Sequence, residues 1–454
     1  MTKKDIIRVC REQKVEMLNF HYCGYDGRLK TLNFVLQGEE HLKQILEAGE
    51  RVDGSSLFPF VQAGKSDLYV VPCYNTAFIN PLEEVPTLDV LCTFFDRDGK
   101  PYEGAPRQVL HRAAEAFRQQ TGLEMYAMGE LEYYVIAPEQ ELFSVADQRG
   151  YHESKPYCKF EDLRTEAMRA LVKAGCCIKY GHSEVGNYTA DGKVYEQNEI
   201  EFTPVPVEKA ADQLVLAQWI MRQIAARRGV EITFAPKLAD GKAGSGLHVH
   251  MQFFKDGRSV MLTPEGEITD TCRKTIAGLM DLGSSLPAWG NPSKESFRRL
   301  VPHQEAPTSL CWSFSNRSAL VRVPLGWNFR CNMASLCNPG EVPSCTDFSF
   351  KQTFEWRASD ATADLYLLMA ALCVAARHGL EMPDALEVAS NTYVDLGVNI
   401  HDASNAELMA RLEQLPAGTA EAADELEKDR AVYEAFGVFP AALVEWQEKV
   451  LKSL

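Results

Sequence analysis

Three short segments place acidic or imidazole side chains two positions apart. In GELEYYV, Glu130 and Glu132 flank Leu131; in YEQNEIEF, Glu199 and Glu201 flank Ile200; in SGLHVHM, His248 and His250 flank Val249. Side chains two apart on a strand share a face, so each pair points one way. Two further carboxylates sit in comparable settings: Glu184 in HSEVGNY, and Glu355 in TFEWR with Arg357 on its face. Like charges this close in a partly buried sheet are unfavourable unless a cation lies between them. One such pair alone reads as a solvated strand face. Repetition on several short strands, with a histidine among them, points to a hard-cation site built mostly from oxygen ligands.

The stretch from Asn291 to Pro324, NPSKESFRRLVPHQEAPTSLCWSFSNRSALVRVP, adds Arg298, Arg299, Arg317 and Arg322 around a proline-bounded loop holding Glu305. Arginines confined to a loop and the strand after it suit planar recognition of carboxylate and phosphate oxygens. For Arg298 a surface ion pair is an equally good reading, but Arg317 and Arg322 stand amid SALVRVP. Arginines opposite a carboxylate-bound metal describe a site that moves a phosphoryl group from a nucleotide. Neither a Walker A motif nor a kinase-type glycine loop is present in the sequence.

These residues need strands to hold them, and the chain supplies the pattern. The first hundred residues carry short apolar runs broken by the turns YDGR and RDGK, which predicts a small β-rich domain with a helix around His41 to Ala48. From Arg107 the spacing turns helical, and amphipathic helices are expected there, at Glu161 to Ala174 and at Glu208 to Arg228. Strands are expected at Met125 to Ile136, Gln197 to Phe202, Ile232 to Pro236, Leu247 to Phe254 and Phe354 to Arg357. Together they predict an α+β catalytic domain whose sheet wraps a polar site. The last hundred residues read as all-helical, with Leu365 to Ala376 too short to span a bilayer and so a buried helix.

Composition agrees with a large soluble enzyme. The 454 residues exceed one small core, and 46 % hydrophobic content can fill more than one. With 47 Lys and Arg against 63 Asp and Glu, the net charge of −16 argues against general affinity for nucleic acid or an anionic membrane. No basic start precedes an apolar run, so no signal peptide is expected. The 13 cysteines include the adjacent Cys176 and Cys177 and form no CxxC, which makes a reducing cytoplasm the simplest compartment.

The order of these motifs resembles the glutamine synthetase family of the bacterial and archaeal type. DGSS at Asp53 to Ser56, SDL at Ser66 to Leu68, GELEYYV, HSEV…QNEIEF, FAPKLADGKAGSGLHVH, NPSKESFRRLVPHQEAP, NRSALVRVP and FEWRASDATADLYL occur in family order over nearly the whole chain. The resemblance implies an N-terminal β-grasp domain over residues 1–103 and a catalytic domain over 104–454, with a curved antiparallel sheet. It also implies a homo-oligomer, a dodecamer of two stacked hexamer rings, with active sites between subunits. It further implies two or more divalent cations, Mg2+ or Mn2+, with ATP as co-substrate and glutamate and ammonium as partners in the reaction. One cation would be held by Glu132, Glu184 and Glu199, the other by Glu130, His248 and Glu355. Arg299 would grip the glutamate α-carboxylate, Gly244 would offer backbone to its amino group, and Glu132, Arg357 and Tyr151 would lie by the substrates. Glu305 would be the flap carboxylate. Arg317 and Arg322 would act on the transferring phosphate, His250 and Lys351 would contact the nucleotide, and Asp53 of an adjacent subunit would take a proton from ammonium.

The chain also departs from the family. Ala243 stands before the GSG where asparagine is usual, and Thr353 stands where an arginine commonly contacts phosphate, leaving Lys351 to substitute. GNYTADGKVYE lengthens the segment between Glu184 and Glu199, where it could reshape the entrance to the site. LGWNFRCNMASLCNPGEVPSCTDFSFKQ lengthens that between Arg322 and Glu355. Its Cys331, Cys337 and Cys345 match no standard zinc spacing and read as free thiols of a surface loop. No segment matches the tyrosine loop that some relatives use for adenylylation. Three activities follow: glutamine synthesis, favoured by the intact DGSS; γ-glutamyl ligation to a polyamine or small alkylamine, favoured by Ala243; and a catalytically inactive regulatory oligomer, disfavoured by the retained ligand positions.

Overall fold

The computed structural model describes residues 1–61, 63–140, 142–302, 306–327, 333–342, 346–398, 402–405, 407 and 411–454. Glu305, Cys331 and Cys345 therefore lie outside the described residues; Cys337 is an exposed free thiol. The N-terminal region is a six-stranded sheet of β1 (Met17–Cys23), β2 (Leu29–Val35), β3 (Glu50–Asp53), β4 (Asp67–Pro72), β5 (Phe78–Ile79) and β6 (Thr87–Phe95). Its order is β2-β1-β6-β4-β3, with β5 on β6, and only β1 and β6 run parallel. Such a mixed sheet crossed by the helix Glu39–Ala48 is the β-grasp arrangement. A helix over Lys3–Glu12, which the turn-rich pattern does not announce, starts at a Thr2–Asp5 capping box. In β1, Leu18, Phe20 and Tyr22 enter this domain's own core, whereas the buried His21 ring lies 4.7 Å from that of Trp219 in the helix Val207–Arg227.

The larger region is a ten-stranded sheet of β7 (Glu124–Pro138), β8 (Ile178–Ala190), β9 (Lys193–Phe202), β10 (Val205–Pro206), β11 (Glu231–Thr233), β12 (Leu247–Lys255), β13 (Arg258–Ser259), β14 (Trp312–Phe314), β15 (Val321–Val323) and β16 (Phe354–Trp356). The main path is β14-β15-β16-β12-β7-β9-β8. All expected strands and helices are present within a few residues of their expected bounds. The extra residues between Glu184 and Glu199 extend a hairpin. β8 and β9 pair as far as Ala190 and Lys193, closed by Asp191 and Gly192 at φ 51° and 70°. Two positive φ values with Asp-Gly are what a tight, right-twisted hairpin turn requires, so the insertion lengthens two strands instead of hanging as a loop. Past Trp356 the described residues hold no named strand, and the helices Leu365–Glu381, Ala385–Asn391, Thr419–Glu434 and Ala441–Ser453 follow.

Helices back the sheet and leave its other face free. The helix Leu365–Glu381 is almost wholly buried, against the helices Pro106–Thr121 and Asp270–Asp281. It meets the latter backbone to backbone: a Cβ on Gly278 would lie 2.0 Å from the Ala375 carbonyl oxygen, and one on Gly379 2.0 Å from that of Lys274. Arg107 ties the two regions: within the larger one it forms a largely buried ion pair, donating from Nε and Nη2 to Asp212 at 3.0 Å each. Tyr366 donates to the same carboxylate at 2.8 Å, and Arg107 also reaches Cys73 Sγ of the N-terminal region at 3.2 Å.

Asp364 caps the central helix, accepting from Tyr366 N at 3.0 Å and Leu367 N at 3.1 Å. Burial pushes its carboxyl up to about 7, against those two hydrogen bonds and assisted by Asp26. An acid whose folded pKa is raised binds more protons folded than unfolded, so stability falls as pH rises from about 4 through about 7. Asp364→Asn keeps the cap acceptor and removes the charge. Thermal unfolding is expected to show the variant a few degrees more stable than the parent at pH 8, with the gap closing at pH 5.

Candidate active site and metal centre

The free face of the large sheet gathers the chemistry because the strand register puts it in rows. His248 lies directly opposite Glu130 across β12 and β7, His250 opposite Glu355 across β12 and β16, and Arg322 opposite Glu355 across β15 and β16. On the other side, Glu130 faces Glu201, Glu132 faces Glu199, and Glu199 faces His182. Cross-strand partners sit within contact distance, so these five carboxylates and three imidazoles, with Glu184 of β8 as a sixth carboxylate, converge on one surface. They line or underlie a cavity of about 740 Å³.

Of the residues expected at the site, Glu130, Glu132, Tyr151, Glu184, Glu199, His248, His250, Arg317, Arg322, Lys351 and Arg357 line this cavity. Glu355 lies beneath them, fully buried. It is bonded through Oε1 to Arg322 Nη1 at 3.0 Å and Arg357 Nη1 at 2.6 Å, with Oε2 2.6 Å from His250 Nε2. Arg299 is buried and donates from Nη2 to the carbonyls of Arg357 at 3.2 Å, Ala358 and Ser359 at 2.9 Å, and among the described residues its Nε has no hydrogen-bond partner. Gly244 is packed so closely that a Cβ would lie 2.5 Å from the Pro236 carbonyl oxygen and 2.6 Å from Arg299 Cγ. Arg298 is an exposed ion pair with Asp240 at 2.6 Å. Asp53 ends β3 of the N-terminal sheet and is not among the cavity-lining residues. Its exposed carboxylate takes hydrogen bonds from Ser55 and Ser56, which hold it below the usual carboxylate range.

The face divides into two electrostatic halves. In one, Glu130 bridges both imidazoles: Oε2 lies 3.0 Å from His248 Nδ1 and Oε1 2.9 Å from His250 Nε2. Burial alone would raise the Glu130 and Glu355 carboxyls, but the His250 charge, assisted by His248 at Glu130 and Arg357 at Glu355, holds both below the ordinary range. The same two carboxylates overcome burial and raise His250 to about 10. Its other nitrogen meets Thr353 Oγ1 at 2.8 Å, so the threonine that replaces a common arginine serves the imidazole. The resemblance puts His248 with Glu130 and Glu355; here the imidazole standing between those two carboxylates is His250, because β12 pairs His250 with Glu355. His248 keeps Glu130 through Nδ1, and its Nε2 lies 4.0 Å from Glu132 Oε1.

The other half carries surplus negative charge. Glu199 is raised well above the carboxylate range, first by burial and then by Glu130, Glu132, Glu184 and Glu201. Among the described residues no hydrogen bond reaches its carboxylate; His182 Nε2 stands 3.4 Å away. Glu201 has Lys179 at 2.7 Å. Glu132 is fixed through Oε2 by Gly246 N at 2.8 Å and Gln197 Nε2 at 3.1 Å. Two clusters therefore bring ligand atoms within 4.8 Å of one another, Glu130 with His250 and Glu355, and His182 with Glu199 and Glu201. Oxygen-rich donors with an imidazole, buried and negatively charged in excess, fit a divalent cation of the Mg2+ or Mn2+ kind.

Three residues at this site were not singled out in the sequence: His182, Lys179 and Gln197. The first carried a signal, since it stands two before Glu184 in HSEV and so shares its face. Gln197 carried none, because its work depends on the β7–β9 register and on the glycine turn crossing above it, where it also donates to the Gly244 carbonyl at 2.9 Å. Ala243, where the family usually has asparagine, is held by its backbone, N–H donating to Gln148 Oε1 at 2.7 Å and carbonyl accepting from Tyr134 at 2.8 Å.

Comparison with known proteins gives the same picture. The glutamine synthetase catalytic domain matches residues 103–445 and the glutamine synthetase β-grasp domain residues 14–97. The glutamine synthetase of Pyrococcus horikoshii is 31 % identical over 87 % of this chain and 81 % of its own. That of Thermotoga maritima is 28 % identical over 99 % and 96 %. Among solved structures, Plasmodium falciparum glutamine synthetase superposes with a TM-score of 0.80 at 18 % identity, covering 100 % of this chain and 95 % of that one. A GmaS complex with ADP gives 0.78 at 19 % identity, covering 98 % and 94 %. With both of its regions matched and homologues of that name along nearly its whole length, the chain belongs to the glutamine synthetase family and is a ligase.

Proposed function

We propose that the protein joins ammonia to the γ-carboxylate of glutamate at the expense of ATP, through γ-glutamyl phosphate, giving glutamine, ADP and phosphate. The observation that carries this reading is the paired arrangement of a buried acidic face with Arg317, Arg322 and Arg357 around one cavity. A carboxylate is a poor electrophile, so its oxygen must first take the γ-phosphoryl group, and arginines at the cavity wall meet the charge on the transferring oxygens. Glu132, Glu184 and Glu199 would hold one divalent cation, and Glu130 and Glu355 with His248 or His250 another; when bound, these ions neutralise phosphate charge. Arg299, buried and with no partner for its Nε among the described residues, would orient the glutamate α-carboxylate. Gly244 would offer backbone to the amino group.

Ammonium must lose a proton to become a nucleophile. Asp53 is the proposed acceptor, supplied by a neighbouring subunit, since it is exposed on the N-terminal sheet and does not line its own chain's cavity. That arrangement supports a homo-oligomer, proposed as two stacked hexamers, built from a β-grasp domain of residues 1–103 and a catalytic domain of 104–454. Glu305 is the proposed flap carboxylate shielding the acyl phosphate from water. No single helix among the described residues is long and apolar enough to cross a membrane, in keeping with a proposed cytoplasmic location.

Two measurements check this reading. Phosphate release from ATP with glutamate is expected to require ammonium; turnover with methylamine or putrescine and none with ammonium would contradict it. Gln197→Ala removes the amide that positions Glu132 and should weaken Mn2+ binding about 10- to 100-fold by calorimetry. Unchanged affinity would mean that Glu132 does not take part in holding the ion.

A further inference from the structure

In the turn before β12, Ala243 offers only a methyl group and Gly244 no side chain, so the groups that hold this backbone sideways must come from elsewhere in the chain. Three elements supply them. Tyr134 of β7 donates to the Ala243 carbonyl at 2.8 Å, and Gln197 of β9 donates to the Gly244 carbonyl at 2.9 Å. Gln148, which lies after β7 and before the helix Glu161–Lys173, accepts through Oε1 from Ala243 N at 2.7 Å.

All three are braced by the lengthened β8–β9 hairpin. Gln148 N–H donates to the Asn187 carbonyl at 2.8 Å, while its Nε2 lies 3.4 Å from that same oxygen and from Asp147 Oδ1, so Oε1 is the atom directed at Ala243. Asp147 pairs with Lys242, whose Nζ lies 5.4 Å from the Tyr188 ring, and that ring stacks on Tyr195 at 4.5 Å. Gly186 N–H donates to Gln197 Oε1 at 3.0 Å, which turns the other end of that amide toward Gly244. A Cβ on Gly186 would lie 1.9 Å from Tyr134 Oη, so β8 passes directly over the two side chains that grip the turn. Gln148 does its part at φ 57°, a left-handed conformation that is strained for a residue with a side chain and persists only where its surroundings impose it.

On its inner side the turn meets the groups assigned to the substrate acid. A Cβ on Gly244 would lie 2.6 Å from Arg299 Cγ, and two residues on, Gly246 N–H donates to Glu132 at 2.8 Å. We propose that Gln148 is a positioning residue for the amino-acid substrate, a role that rests on the reading of Gly244 and Arg299 as the glutamate end of the site. By accepting from Ala243 N–H it sets the turn against Arg299, supplying from a separate loop the hold that a methyl group cannot give. Its influence is confined to that end. Glu132 keeps its bonds to Gln197 and Gly246, and Arg322 and Glu355 stand on β15 and β16, across β12 from the strands that brace the turn.

Steady-state phosphate release by the full-length protein with Mg2+, ATP, glutamate and ammonium tests this role, together with calorimetric titration of Mn2+. Gln148→Ala is expected to raise the glutamate KM about tenfold, with kcat, the ATP KM and Mn2+ affinity all within about twofold of the parent. Gln148→Glu keeps an oxygen for Ala243 N–H and should hold the glutamate KM within about threefold of the parent. Gln148→Gly lacks the acceptor but suits the left-handed backbone, so it should share the raised glutamate KM of Gln148→Ala while unfolding at a higher temperature than that variant. An unchanged glutamate KM in the alanine and glycine variants would overturn the positioning role and leave the glutamate reading standing. A parallel loss of ATP and Mn2+ binding would also overturn it, since Gln148 would then support the whole wall. Recovery of the parent KM in Gln148→Gly would do the same, because backbone strain and not the acceptor would be at work. A parent protein that releases no phosphate in response to glutamate would remove both readings.

Discussion

Mutual repulsion among Glu130, Glu132, Glu184, Glu199, Glu201 and Glu355 is the constraint around which this structure is arranged. Two unit charges 4 Å apart repel by about 4 kcal/mol at an effective dielectric constant of 20, and six carboxylates here share one sheet face. The chain offsets part of this with its own cations. Arg322 and Arg357 pair with Glu355, Lys179 pairs with Glu201, and His250 is raised to about 10 between two carboxylates. What remains is concentrated at Glu199, whose carboxyl is driven far above its ordinary range by burial and by its four acidic neighbours. A face in that condition favours a cation over a proton whenever one is present, and the surrounding helices and the N-terminal sheet hold it in that condition.

The same sheet accounts for a gradient along the cavity. β12 carries imidazoles near its start and Gln252 and Phe254 farther on, so one strand passes from the charge-bearing floor to the aromatic rim. Its neighbours follow suit, with Tyr126 on β7 paired directly to Gln252 and Glu130 paired to His248.

Much of this was legible in the sequence, for a physical reason: strand periodicity fixes which side chains share a face. Glu130 with Glu132, Glu199 with Glu201 and His248 with His250 could be placed together without knowing the fold, whereas GNYTADGKVYE, read as an insertion at the entrance to the site, proves to be a hairpin turning at Asp191-Gly192. Register was not legible. Which imidazole stands between Glu130 and Glu355 depends on β12 pairing with β16 at His250, a tertiary fact that no local pattern carries. Gln197 was invisible for the same reason. Resemblance to the glutamine synthetases supplied the order of the parts, whereas the strand pairing decides which atoms meet.

The central claim is that the acidic face is an incomplete structure that a divalent cation completes. Its most direct test is thermal unfolding of the full chain at pH 7.5 with and without Mn2+. A cation bound only by the folded state stabilises it by mass action, so the midpoint should climb steadily with the logarithm of Mn2+ concentration above the dissociation constant. The climb should be markedly smaller in Glu199→Gln, where the surplus charge is gone. A midpoint indifferent to Mn2+ up to millimolar concentration would contradict the account.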